Sequence, residues 1–195
     1  MTDQTYLFLG LGNPGREYAR NRHNVGFMFI DRLSVRINAR GLKLQSKAIV
    51  TSGQYEGNKL ILAKPQTYMN LSGHAAQGLA HFYKLPLSQM LVAHDDLDLP
   101  LGTIRLRPGG GPGGQKGVAS AIERLGTEDF ARLRFGIGRP PGRMDPADYV
   151  LQDFPGSQLE ILGEVLERGV EAALTFVVEG LDRAMNKYNG EPRTS

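Results

Sequence analysis

The chain has 195 residues, with 23 Lys and Arg against 20 Asp and Glu, and no cysteine. That length fits one domain with a sizeable core, and the missing cysteine removes disulfides, thiol nucleophiles and cysteine-bound zinc. No apolar run approaches a membrane span, and the N-terminus lacks the basic-then-apolar layout of a secretory signal, so the cytoplasm is the expected compartment.

The first element, Tyr6–Gly12, reads as a buried strand. Val25, Phe29, Leu33 and Ile37 recur at four-residue spacing and predict a helix over 25–37. Ile49–Tyr55 and Lys59–Lys64 read as paired strands around a turn containing Gly57 and Asn58. Ser72–Tyr83 suits a helix with Ala76, Leu79, Ala80 and Tyr83 inward, stopped by Pro86. Met90–His94 is a short buried strand, and the acidic run DDLD follows it. Ile104–Arg107 is another strand, a glycine loop comes next, and a helix is expected over 117–125. Leu133–Gly138 reads as a strand and RPPGRMDP as a loop. Ser157–Lys187 is helical, with breaks at Gly169 or Gly180. The expected domain covers 1–188, and residues 189–195 read as a disordered tail. Alternating strands and helices predict a single-domain α/β sandwich: a twisted, mixed, mostly parallel central sheet flanked by helices. In such sheets chemistry gathers where loops leave the carboxyl ends of strands.

Charge is divided along the chain. Residues 16–143 hold 19 Lys and Arg against 9 Asp and Glu, a balance of +10, whereas 145–182 hold 9 acids and one Arg, a balance of −8. The first part offers a basic surface to a polyanion; a solvated surface beside an acidic helix is the plainer alternative.

Gly10, Gly12 and Gly15 spell G-x-G-x-x-G after the first strand. A dinucleotide site requires the third glycine in the first turn of a helix and an acid at the next strand's end. Here Asn13-Pro14-Gly15 is turn chemistry, the polar run REYARNRHN follows, and Asp31 falls inside the predicted helix. A nicotinamide or flavin site is therefore not expected. The second glycine loop, GGGPGGQKG at 109–117, lacks the Gly-Lys-Ser/Thr order of a nucleotide-hydrolysing loop; it reads as a strand-to-helix connection that lets a ligand approach the backbone.

Of four histidines, His74 and His81 lie in a predicted helix as surface or packing residues, and no H-x-x-x-H spacing supports a metal. His94 flanks Asp95 at a strand end. His23, in RNRHN between a loop and a helix start, is either a decorated helix end or an imidazole presented to a cleft; Asn24 could cap that helix. Asp95, Asp96 and Asp98 sit where a carboxylate could orient such a ring. Without G-x-S-x-G or cysteine, the chemistry would be attack by activated water.

Four blocks carry a more specific signal: GLGNPGREYARNRHNVGF, KPQTYMNLSG, VAHDDLDLPLGTIRLRPGGGPGGQKG and FARLRFGIGRP. In this order and spacing they resemble the bacterial peptidyl-tRNA hydrolase family, over roughly residues 6–186. The resemblance implies hydrolysis of the ester joining a peptide to the 3′ end of tRNA, without metal or organic cofactor, by a monomer whose partner is peptidyl-tRNA. It implies His23 as the base that deprotonates water, Asp95 as its carboxylate partner, and Asn13 as the contact to the peptide. Asn70 would position the 3′ end and the water, although a helix cap before Ser72 is its structural alternative. Tyr18 and Tyr68 would line the 3′-end site, and Arg107 and Arg134 would clamp the 5′ phosphate. Lys116 and Gln115 stand where many relatives carry Asn and His. Lys cannot accept a hydrogen bond, which questions any role in orienting water through an amide oxygen and leaves it a contact to the acceptor-stem phosphates or the 3′ nucleotide. Pro112 stiffens the same loop. Two rival readings are a non-catalytic RNA-binding relative and a small-molecule amidase or peptidase on a similar fold.

Overall fold

Tyr6, Leu7, Phe8 and Leu9 are apolar on both faces of a strand, so the segment is stable only where both faces are covered. A computed structural model, which describes residues 3–190, places it there. Strand β1 (Thr5–Gly10) lies mid-sheet, with Tyr6 and Phe8 in one apolar cluster and Leu7 and Leu9 in another. The other strands are β2 (Arg40–Gln45), β3 (Ala48–Tyr55), β4 (Asn58–Pro65), β5 (Met90–Asp96), β6 (Ile104–Arg107) and β7 (Ala131–Gly136). The sheet order is β2-β3-β4-β1-β5-β7-β6. The inner four strands run parallel, and β2, β3 and β6 complete the edges by antiparallel pairing. Helices α1 (Val25–Arg36), α5 (Leu159–Glu179) and α6 (Leu181–Tyr188) cover one face. Helices α2 (Gly73–Phe82) and α3 (Lys116–Leu125) cover part of the other. Short helix α4 (Pro146–Val150) stands at the carboxyl end of the sheet, beside the loops that follow β1, β4 and β5.

The glycines of the opening motif serve packing as much as turning. A Cβ on Gly10 would lie 2.2 Å from the Gly26 carbonyl oxygen, and one on Gly26 would lie 2.5 Å from the Leu11 nitrogen and 2.6 Å from the Ala93 oxygen. Helix α1 therefore rests backbone-to-backbone on the ends of β1 and β5. Only Gly15 needs its conformational freedom, with φ of 115°.

Several boundaries differ from the sequence reading. Strand β2 was not foreseen: RGLKLQ is exposed along nearly its whole length, so it carries no burial pattern. Its turn into β3 uses Ser46 and Lys47 at φ of 48° and 59°, without the glycine that would have marked it. The β3–β4 turn is centred on Glu56-Gly57, one residue earlier than expected, and Asn58 already belongs to β4. The loop RPPGRMDP ends in a helix start: Asp145 caps α4 through the Ala147 N–H at 2.9 Å, with Pro146 at the first position. The long C-terminal helix breaks at Gly180, where φ is 89°; Gly169 continues it and is pressed against the Phe135 ring. The start of the expected tail is ordered. Asn189 exchanges two hydrogen bonds with the Leu106 backbone, at 2.7 and 3.0 Å, and Gly190 bridges Ile104. Residues 191–195 lie outside the described residues.

Substituting Gly26→Ala should lower stability by about 1–3 kcal/mol, because the new methyl meets backbone that has no soft way to retreat. A chemical denaturation midpoint equal to wild type would show that α1 does not depend on this contact.

Candidate active site

Three side chains of the polar run before α1, those of Asn21, Arg22 and Asn24, are buried and hold loops together. Arg22 is buried, stacks over the Tyr149 ring at 4.3 Å and donates to the carbonyls of Gln152 and Asp153 at 3.3 and 2.9 Å. Asn21 donates to the Asp153 carboxylate at 2.7 Å. Asn24 does not cap α1; its amide grips the Asn13 main chain, accepting from N–H at 3.0 Å and donating to C=O at 2.9 Å. With its neighbours turned inward, His23 is left to face the cleft, in a 3-10 turn over Arg22–Asn24.

His23 Nδ1 lies 2.9 Å from Oδ2 of Asp95, at the end of β5. A carboxylate accepts and does not donate, so Nδ1 carries the hydrogen, and in the neutral ring Nε2 is the nitrogen with the lone pair. The Asp95 side chain is only 3% exposed, and its other oxygen, Oδ1, accepts from Gln115 Nε2 at 3.1 Å. Gln115 also caps α3, its Oε1 accepting from the Val118 N–H at 2.9 Å. One amide thus satisfies both a helix terminus and the buried carboxylate. Sequence reasoning noted Gln115 as a departure and missed this role; its place one residue before a helix start, after a glycine loop, was the available signal.

Asn13 Oδ1 accepts the Met69 N–H at 2.7 Å. A main-chain N–H only donates, so the amide orientation is settled and Nδ2 is the end left for a ligand. The acceptor end of the amide is thus engaged within the fold. Tyr68 and Asn70 flank buried Met69 just after β4; Asn70 lies in the 3-10 turn over Met69–Leu71 that Tyr68 precedes. The Asn70 side chain makes no hydrogen bond among the described residues and does not cap α2. Asn13, His23, Tyr68, Asn70, Asp95 and Lys116 all line one cleft of about 580 Å³. Leu97 also lines it, with Pro146, Ala147, Val150 and Leu151 of the α4 segment. Tyr18, half-buried in its own 3-10 turn, is not among the lining residues.

Arg107 and Arg134 meet elsewhere, in a neighbouring pocket of about 230 Å³ beside the loop Gly109–Gly113. Asp96, Pro112 and Gly113 line both pockets and form their common wall. Alternation along the strands explains the second pocket. Leu106, Leu133 and Phe135 face the core, so Arg107, Arg132 and Arg134 share the other face, where the apolar cluster under α2 and α3 does not extend. Arg132 was missed, although ARLRF repeats the alternation of IRLR. It is buried over the Phe130 ring, 4.1 Å away, and donates to the carbonyls of Gly110 and Glu128 at 2.7 and 3.0 Å. Burial pulls its guanidinium below the usual arginine value, against the pull of Glu128. The three acids of DDLD divide their work: Asp95 holds His23, Asp96 pairs with Arg134 Nε at 2.5 Å, and Asp98 pairs with Arg139. Among the described residues no group of three or more His, Asp and Glu could hold a metal ion, and no helix is long and apolar enough to cross a membrane.

Removing the amide of Gln115 separates its two tasks. Gln115→Ala should cost about 1–2 kcal/mol, by stranding the Val118 N–H and one Asp95 oxygen. Gln115→Glu retains an acceptor for Val118 but sets a second carboxylate against Asp95, so it should depress turnover more than thermal stability. Equal effects of both variants on both readouts would assign Gln115 to capping alone.

A family model described as peptidyl-tRNA hydrolase matches residues 7–195. The peptidyl-tRNA hydrolase of Carboxydothermus hydrogenoformans is 49% identical over 184 residues, covering 94% of this chain and 98% of its own. That of Frankia casuarinae is 44% identical over 187 residues, covering 96% and 95%. The crystal structure of peptidyl-tRNA hydrolase from Acinetobacter baumannii superposes with a TM-score of 0.90 at 34% identity, with 97% of each chain covered. Matched along nearly its whole length in sequence and in three dimensions, the chain belongs to the peptidyl-tRNA hydrolase family.

Proposed function

We propose that the chain hydrolyses the ester between a peptide and the 3′ end of tRNA, with His23 as general base. The observation that carries this reading is the His23–Asp95 pair: Nδ1 is tied at 2.9 Å to a buried carboxylate, and the ring stands at a cleft flanked by side-chain amides. In this mechanism Nε2 takes a proton from water as the oxygen attacks the ester carbonyl. Asp95 stabilises the imidazolium that forms, and the proton passes to the departing 3′ oxygen of the terminal ribose as the tetrahedral intermediate collapses. The amide of Asn13 donates through Nδ2 to a carbonyl of the peptide, an interaction an unblocked aminoacyl group lacks. Asn70 holds the water and the 3′ end. Tyr68, with Tyr18 further out, offers an aromatic face to the terminal nucleotides, and Lys116 offers charge to the acceptor stem.

Arg107 and Arg134 take the 5′ phosphate, whose planar recognition suits guanidinium. The adjoining pockets accord with this division, since the 5′ and 3′ ends of a tRNA leave the same stem together. Residues 1–188 act as one catalytic unit and as a monomer. The setting is the cytoplasm, where translation releases the substrate.

His23→Ala should lower turnover by at least about a hundredfold, the scale of a lost general base, while tRNA binding persists. Peptide release from blocked aminoacyl-tRNA at near-normal rate would remove His23 from the mechanism. Neutralising Arg107 and Arg134 together should weaken tRNA binding and reduce the slope of affinity against salt by about 2; an unchanged slope would dissociate these residues from phosphate.

A further inference from the structure

The arginine pocket contains a group that this mechanism leaves unused. His94 is 4% exposed and lines the pocket with Arg107, Arg132 and Arg134. Its Nδ1 lies 2.8 Å from the Asp95 carbonyl oxygen. A carbonyl oxygen only accepts, so Nδ1 carries a hydrogen in either charge state, and the neutral ring offers Nε2 as a lone pair. Nε2 makes no hydrogen bond among the described residues. The charged groups around the ring are Asp95 and Asp96 on its own strand, Arg132 and Arg134 on β7, and Arg107 on β6; the loop Gly109–Gly113 supplies none. Burial, helped by Arg132, pulls the ring below the usual histidine value, while the Asp95 carbonyl and the two carboxylates oppose this.

We propose that His94 makes recognition of a terminal phosphate proton-linked: a phosphate monoester entering this pocket takes up one proton from solvent, shared between His94 Nε2 and a phosphate oxygen. The proposal rests on the reading of Arg107 and Arg134 as the phosphate clamp. A dianion brought against neutral Nε2 would oppose two sets of lone pairs. One proton between them turns that repulsion into a charge-assisted hydrogen bond. An imidazolium facing a dianion and an imidazole facing a monoanion are the same complex, so one proton enters whichever partner is said to carry it. No bond between heavy atoms forms or breaks. A monoester dianion binds one proton with a pKa of about 6. A backbone diester has no such proton to share and only one charge with which to draw one onto a buried ring. The pocket therefore distinguishes the end of an RNA strand from its interior, which three arginines alone do poorly.

The test uses an acceptor-stem RNA hairpin with a free 3′ hydroxyl, prepared with either a 5′ phosphate or a 5′ hydroxyl, so that hydrolysis plays no part. The ratio of the two affinities isolates the phosphate. In the wild-type protein this ratio should fall by at least about tenfold between about pH 6.5 and about pH 8.5, within the one-proton ceiling of about tenfold per pH unit. In His94→Gln, which retains a donor but cannot titrate, it should stay flat. Calorimetry of the wild type in two buffers of different ionisation enthalpy should show uptake of close to one proton with the 5′-phosphate RNA at the upper pH, a readout that needs no variant. A ratio above one that is independent of pH, a slope that survives in His94→Gln, or binding without proton uptake would overturn the proposal and leave the clamp standing. A ratio of one at every pH would remove the clamp and the proposal together.

Discussion

A carboxylate taken out of water must find hydrogen bonds or give up its charge. Asp95 is buried at the end of β5, and its acceptors are used by three different parts of the chain. One carboxylate oxygen holds His23 from the loop after β1, the other holds Gln115 from the glycine loop, and its main-chain oxygen holds His94 on its own strand. The position of the imidazole is thereby a consequence of how Asp95 is satisfied. The placement of the ring and the satisfaction of a buried carboxylate are met by the same bonds, which links the order of the site to the integrity of the fold.

The surrounding loops are joined by amides rather than by apolar packing. Asn24 holds the backbone of Asn13, Asn13 holds the backbone of Met69, and Gln115 holds the backbone of Val118. Each such bond contributes about 1 kcal/mol net, but a stranded buried donor costs about 1–3 kcal/mol, so the chain of amides is stable only when complete. This arrangement suits a cleft that must admit a polar substrate. Apolar packing at the same place would have closed it; the apolar lining comes mainly from Leu97 and the α4 segment.

The division of charge along the chain has a partly internal resolution. Arg32 and Arg36 of α1 meet Glu167 and Glu171 of α5 across the outer face, with all four side chains between 41% and 48% exposed. At that exposure these pairs add little stability. They do neutralise basic charge on the face remote from the site. The arginines of β6 and β7 stand on the opposite face of the sheet, where no acidic helix packs. The basic surface available to RNA is therefore narrower than the sequence balance implied, and it lies beside the cleft.

The α/β class, the buried central strands, α1, α2, α3 and the turn at Gly15 were legible from periodicity and turn chemistry, because burial imposes a spacing that the sequence must display. His23 and Asp95 could be singled out as a base and an orienting carboxylate, but composition and spacing left them as one possibility among several until the four-block resemblance was weighed. Strand β2 and helix α4 were not legible: one is exposed and carries no pattern, the other is short and announced only by Asp145-Pro146. Which end of the Asn13 amide is free, what Gln115 does and where Arg132 and His94 point were decided by tertiary structure alone. Each depends on a partner between 20 and 72 positions away, or on which sheet face a helix leaves uncovered. A linear sequence states which groups can hydrogen-bond; only the folded chain decides which of them are already occupied.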